Sequence, residues 1–139
     1  MGIEFIYEIG LFKLDDENKY CKWLIEVARR ERKEIKEIII VFVNDNRILD
    51  INKKFLKHNY ITDIITFNNS FLSKLSGEIY ISIPTVEKNS KIYSNKIFRN
   101  EVNRVLVHGL LHLIGYNDQN NDEILTMRSK EDCYLRYLD

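Results

Sequence analysis

The chain has 139 residues, 45% of them hydrophobic and 30% charged, enough for one domain that buries about two-thirds of its unfolded surface without disulfides or a structural metal. Its 21 Lys and Arg balance 21 Asp and Glu, so it lacks the overall electrostatic signature of a protein that coats DNA or an anionic membrane, and any RNA contact must come from a local patch. Cys21 and Cys133 have no CxxC spacing and read as free thiols. With neither a signal peptide nor a membrane-length apolar run, they give the expectation of a cytoplasmic protein.

Residues 3–9 alternate as a strand, and residues 15–32 read as a helix with Asp15 or Asp16 as N-cap, basic residues in the last turn, and Trp23, Leu24 and Val27 facing inward. The β-branched run 38–43 is the mark of a central strand covered on both faces. Asn44 or Asp45 can cap a helix to about residue 57, residues 62–67 form another strand, and 68–76 reads as a polar loop. Ile79, Ile81 and Ile83 alternate with polar neighbours in a strand after Gly77, read as a turn residue. Pro84 suits the first turn of a helix through about residue 94. An apolar helix over 97–114 and a last helix over 122–138 complete the order βαβαββααα. It predicts a single α+β domain over residues 1–139, a small mixed β-sheet packed with helices.

The chemistry concentrates in His108-Gly109-Leu110-Leu111-His112-Leu113-Ile114-Gly115-Tyr116-Asn117-Asp118. Residues four apart on a helix are offset by about 40° and rise ~6 Å, so His108 and His112 present their imidazoles on one face. Gly115 suits a left-handed cap, after which the chain can turn back and bring Asp118 to the same point. Three ligands with an open position is the catalytic arrangement for zinc, which points to a metal-dependent hydrolase. The alternative is a pair of hydrogen-bonded core histidines, since HxxxH alone is common. Between Val102 and Gly115 the polar side chains are Asn103, Arg104, His108 and His112, so the segment should be enclosed, and a buried imidazole needs a partner.

Gly109 stands where HExxH peptidases carry their general base, which lowers peptidase chemistry to a minor reading. A helical glycine costs about 1 kcal/mol relative to Ala, so a close approach by another backbone or a substrate would explain it. In the last helix, Glu131 falls on the apolar stripe of Ile124, Met127, Tyr134 and Leu138. It either accepts the N–H of a metal-bound histidine or extends to solvent at the stripe edge. Glu78, Asp63 and Asp122 are possible general bases, each with an ordinary strand-edge, turn or capping role as alternative, and none is assigned. His58 reads as a loop residue.

These blocks together resemble the YbeY family of bacterial metal-dependent endoribonucleases implicated in ribosomal RNA maturation. The family pattern H-G-x-L-H-L-x-G-Y-D-H is matched by His108, Gly109, Leu111, His112, Leu113, Gly115 and Tyr116. Its L-N-x-x-F-R and T-D-V-L-S-F blocks resemble residues 51–56 and 62–67, and its G-D-I-x-I strand resembles 77–81. Met127 and Glu131 also fit its final-helix pattern. The resemblance implies a zincin-like metal-site helix and one Zn²⁺ per chain held by His108, His112 and Asp118. It also implies a single-strand-specific endoribonuclease acting on ribosomal RNA at the ribosome, notably in processing the 16S rRNA 3′ end, with no DNA or membrane partner.

Two positions depart from the family. Asp118 stands where the third ligand is usually His, which makes the ligand set one unit more negative and also compatible with Ni, Mn or Fe. Leu56 stands where an Arg is expected to contact RNA phosphate. Lys53, Lys54 and Lys57 are candidate RNA contacts in its place, though as point charges without the bidentate fork. Arg99, Arg104 and Arg128 join them if they share a rim of the metal cleft, and Tyr60 and Tyr116 are candidate stacking surfaces for unpaired bases. The alternatives are a metal-dependent hydrolase of a non-RNA substrate and a non-catalytic ribosome-associated binding protein.

Overall fold

The computed structural model describes residues 2–92 and 97–138. Its elements are β1 (Ile3–Tyr7), α1 (Glu17–Arg30), β2 (Glu34–Val43), α2 (Asp45–Ile51, continued by a π-helical turn Asn52–Leu56), β3 (Ile64–Asn68), β4 (Lys74–Ser82), α3 (Ile83–Ile92), α4 (Phe98–Ile114) and α5 (Asn121–Leu135). The type and order of the predicted elements hold. The expected end of α3 near residue 94 lies outside the described residues.

The sheet has the order β1-β2-β4-β3, with β1 and β4 parallel to β2 and β3 antiparallel to β4. The β-branched run places β2 inside the sheet, where both faces are covered. Ile38, Ile40 and Phe42 join the large core with Trp23, Leu24 and Val27 of α1 and Leu106 and Leu110 of α4. Val41 and Val43 face the other way, against Ile48 and Ile51 of α2 and Ile65 of β3. Asp16 and Asn44 cap α1 and α2 by accepting backbone N–H bonds from Lys19 and Arg47. The indole N–H of Trp23 donates to the Tyr134 carbonyl at 2.8 Å, tying α1 to α5.

Two glycines set how closely the layers meet. A Cβ on Gly109 would lie 3.0 Å from Ile64 Cδ1 and 3.1 Å from Ile79 Cδ1, so glycine lets α4 lie down on β3 and β4. Gly77 was expected at a turn, but it lies within β4, opposite Asn68. A Cβ there would collide with the Phe67 carbonyl oxygen of the neighbouring strand. It marks close backbone approach rather than a break. The loop expected over 68–76 is correspondingly shorter: Asn68 ends β3, Lys74 to Ser76 belong to β4, and the reversal falls between them, with Leu72 at φ 55°. On α5, Met127 and Tyr134 are buried as the stripe requires, whereas Ile124 is 45% exposed and faces a cleft.

Gly77→Ala is expected to destabilise the fold by about 1–3 kcal/mol, the range for overpacking a tight contact. Urea unfolding of the two proteins measures it, and an unchanged midpoint would contradict the close β3–β4 approach.

Candidate metal centre

Regular helix geometry brings the two histidines together. His108 and His112 lie one turn apart on α4, with their Nε2 atoms 3.0 Å from each other. The helix then ends on Gly115 at φ 127°, and the N–H groups of Gly115 and Tyr116 return to the Leu111 carbonyl at 3.1 and 3.0 Å. The reversed chain carries Asp118 back, so that its Oδ2 lies 3.5 Å from His108 Nε2 and 3.4 Å from His112 Nε2. The three donor atoms thus form a nearly equilateral triangle. Ligands at ~2.0–2.1 Å in a tetrahedral shell stand roughly 3.3 Å apart, so the triangle has the size such an ion needs. The three residues form a group able to hold a metal ion.

The His108 ring is oriented from its far side. Glu131, only 4% exposed, places Oε2 2.6 Å from His108 Nδ1 and receives Arg104 Nη1 on Oε1 at 2.7 Å. Arg104 spends its other terminal nitrogen on Asp132 Oδ1 at 2.6 Å. Burial raises the Glu131 pKa, but the His108 and Arg104 hydrogen bonds outweigh it and hold the carboxyl below its ordinary range. Nδ1 of His108 is therefore assigned as the N–H donor, which leaves the Nε2 lone pair for the site. Burial lowers the pKa of His108, yet the bond and charge of Glu131, with Asp118 and Asp63, carry it above the ordinary value. His112 moves the opposite way, lowered by burial and then by His108, because two imidazoles in contact do not both take a proton.

Two pinned ends bracket the Asp118 loop. Tyr116 donates its hydroxyl to Glu31 Oε1 at 2.7 Å. Glu31 also takes the Tyr134 hydroxyl and, at 3.0 Å, Lys130 Nζ. Beyond Asp118, Asn120 caps α5 by accepting from the Glu123 N–H at 2.8 Å, and Glu123 Oε1 returns to the Gln119 N–H at 2.9 Å. Glu31 and the bracing role of Arg104 were missed in the sequence, where separations of 85 and 27 residues leave no local pattern.

His108 and Asp118 line a cavity of about 250 Å³ together with Asp63, Glu101, Ile124 and Arg128. Of the possible general bases, Asp63 is the one that lines it, its carboxyl raised by burial against the opposing charge of His108. Glu78 accepts the Tyr80 hydroxyl and lines a separate groove on the α2 side of the sheet, and Asp122 sits in the first turn of α5. Of the basic candidates, Arg104 and Arg128 line the cavity, while Arg99 pairs with Asp15 at 3.3 Å. Lys53, Lys54 and Lys57 are exposed around the π-helical turn and do not line it. Lys54 lines the groove with Glu78, and Leu56 is likewise absent from the cavity wall. Tyr60 is exposed and stacks on His58, whereas Tyr116 is tied to Glu31.

A helix-borne histidine pair and a carboxylate beyond a glycine cap, held in a small α+β domain, define a metal-site protein of the hydrolase class. The family model for endoribonuclease YbeY matches residues 10–139. Endoribonuclease YbeY of Karelsulcia muelleri is 43% identical over 136 residues, covering 98% of this chain and 95% of the relative. That of Flavobacterium psychrophilum is 41% identical over 134 residues, covering 96% and 94%. The solution structure of TM1509 from Thermotoga maritima superposes with a TM-score of 0.69 at 27% identity, covering 98% of this chain and 88% of that one. The chain belongs to the YbeY family.

Glu131→Gln keeps the side chain's shape but removes the charge that orients His108. Metal affinity measured by competition with a chelating dye should fall about 10–100-fold, as it does when such supporting carboxylates are lost elsewhere. Affinity equal to wild type would mean that the ring needs no such support.

Proposed function

We propose that this protein is a metal-dependent endoribonuclease that cuts single-stranded segments of ribosomal RNA during maturation, notably near the 3′ end of 16S rRNA, working at the ribosome in the cytoplasm. The observation that carries the reading is the triangle of His108 Nε2, His112 Nε2 and Asp118 Oδ2, of which His108 and Asp118 line an open cleft. Family membership supports the RNA substrate, and no helix of the described residues is long and apolar enough to cross a membrane.

His108, His112 and Asp118 would hold the ion, and zinc is the ion proposed. Two imidazoles and a carboxylate also accept Ni, Mn or Fe. A bound ion of this kind supplies a water of lowered pKa and a Lewis acid for a phosphodiester oxygen. The protein's own residues do the rest. Glu131 and Arg104 keep His108 in one tautomer, while Tyr116 and Glu31 hold the loop that aims Asp118. Asp118 in place of a third imidazole adds one negative charge to the ligand set, which makes bound water less acidic than three histidines would. Gly109 leaves no glutamate at the peptidase base position, so the helix lacks the proton acceptor that peptide hydrolysis uses there.

Cleavage of a ribosomal RNA precursor tests this. Wild type should cut it, a chelator should abolish cutting and added zinc restore it, and His112→Ala should stay inactive with zinc present. RNA cut equally well after chelation would overturn the metal-dependent reading; metal bound with no cutting would favour a hydrolase of another substrate or a binding protein.

A further inference from the structure

The cleft has an unusual charge balance for a site that must admit a polyanion. Four carboxylates line it, Asp63, Glu101, Asp118 and Glu131, against two guanidinium groups, Arg104 and Arg128. Arg104 is committed. Its side chain is 17% exposed and both terminal nitrogens are taken, by Glu131 at 2.7 Å and Asp132 at 2.6 Å. Pulling it toward a ligand would strand a buried carboxylate, which is costly.

Arg128 is placed differently. Its side chain is 56% exposed, and its nearest carboxylate contact is from Nε to Glu131 Oε1 at 3.8 Å, beyond hydrogen-bond distance of an oxygen that already accepts from Arg104. It makes no hydrogen bond among the described residues, so attraction to Glu131 draws the group to the cleft mouth while leaving its donors for another acceptor. One helical turn earlier, Ile124 lines the same cleft although 45% exposed. Residues four apart share a helix face, so α5 presents an apolar surface followed by a free cation along one rim. A nucleotide has the complementary order, an apolar sugar and base face beside a phosphate.

We infer that Arg128 is the residue of this cleft that takes up an RNA phosphate, by a bidentate, charge-assisted hydrogen bond, with the adjoining sugar or base resting on Ile124. This rests on the endoribonuclease reading above and names the substrate contact of that site. Arg128 is a binding residue here and supplies nothing to the metal, so its loss should separate binding from chemistry.

The test is steady-state cleavage of a short single-stranded RNA by the zinc-loaded enzyme across a salt series, for wild type, Arg128→Gln, Arg128→Lys and, as a control at an exposed lysine of α1 on a separate groove, Lys22→Gln. Zinc affinity is measured for each. Arg128→Gln should raise KM about tenfold with kcat and zinc affinity little changed. The slope of log(kcat/KM) against log salt should become shallower by roughly 0.7, the value of one lost single-strand phosphate contact. Arg128→Lys should restore the slope but only part of the KM, because it keeps the charge and loses the fork, and Lys22→Gln should match wild type. If wild type cuts RNA while Arg128→Gln keeps its KM and salt slope, the assignment of Arg128 is overturned and the functional reading survives. If wild type cuts no RNA, that reading fails and takes this inference with it.

Discussion

Glu131 is a carboxylate inside a protein core, and such a group persists only where hydrogen bonds replace its lost water. Here the replacement comes from two directions, His108 on one oxygen and Arg104 on the other. The pairing fixes more than the charge. It sets which nitrogen of His108 carries the proton, turns the opposite nitrogen toward His112 and Asp118, and locks α5 against α4 at the depth of the site. Stability and ligand orientation therefore depend on the same three side chains.

The remaining geometry follows from how α4 is seated and how it stops. Gly109 allows the helix to approach the sheet, and His108 lines the same cleft wall as Asp63, just before β3. Gly115 ends the helix with a positive φ, and the hydroxyl of Tyr116 anchors the turn to Glu31 at the end of α1. Asp118 hangs between that anchor and the cap of α5. A carboxylate reaches less far than an imidazole, so a ligand set that ends in aspartate puts more weight on the placement of this loop.

The local features were legible in the sequence because they are periodic. His108 and His112 follow from the helical repeat, Asp118 from a glycine cap and a short return, and the position of Glu131 from its phase on the last helix. Gly77 was misread because a glycine before alternating isoleucines looks like a turn, whereas its purpose is contact with a strand that the local pattern does not specify. The partners of the site were out of reach for a related reason. Nothing near Glu31 signals that Tyr116, Lys130 and Tyr134 converge on it, and nothing near Arg104 shows that it braces Glu131. The lysines around Leu56 were offered as RNA contacts because they neighbour the position where the family usually carries Arg. In the structure Lys54 lines the groove with Glu78 and not the cleft of the metal site.

The measurement closest to the central claim is X-ray absorption of the zinc-loaded protein at the zinc edge, with Asp118→Ala alongside. A shell of nitrogen and oxygen alone, with the scattering signature of two imidazoles and no sulfur, is the expected result, and Asp118→Ala should lose one oxygen while keeping both rings. Zinc bound through the thiolates of Cys21 or Cys133, or a shell without imidazole, would contradict a metal centre built from His108, His112 and Asp118.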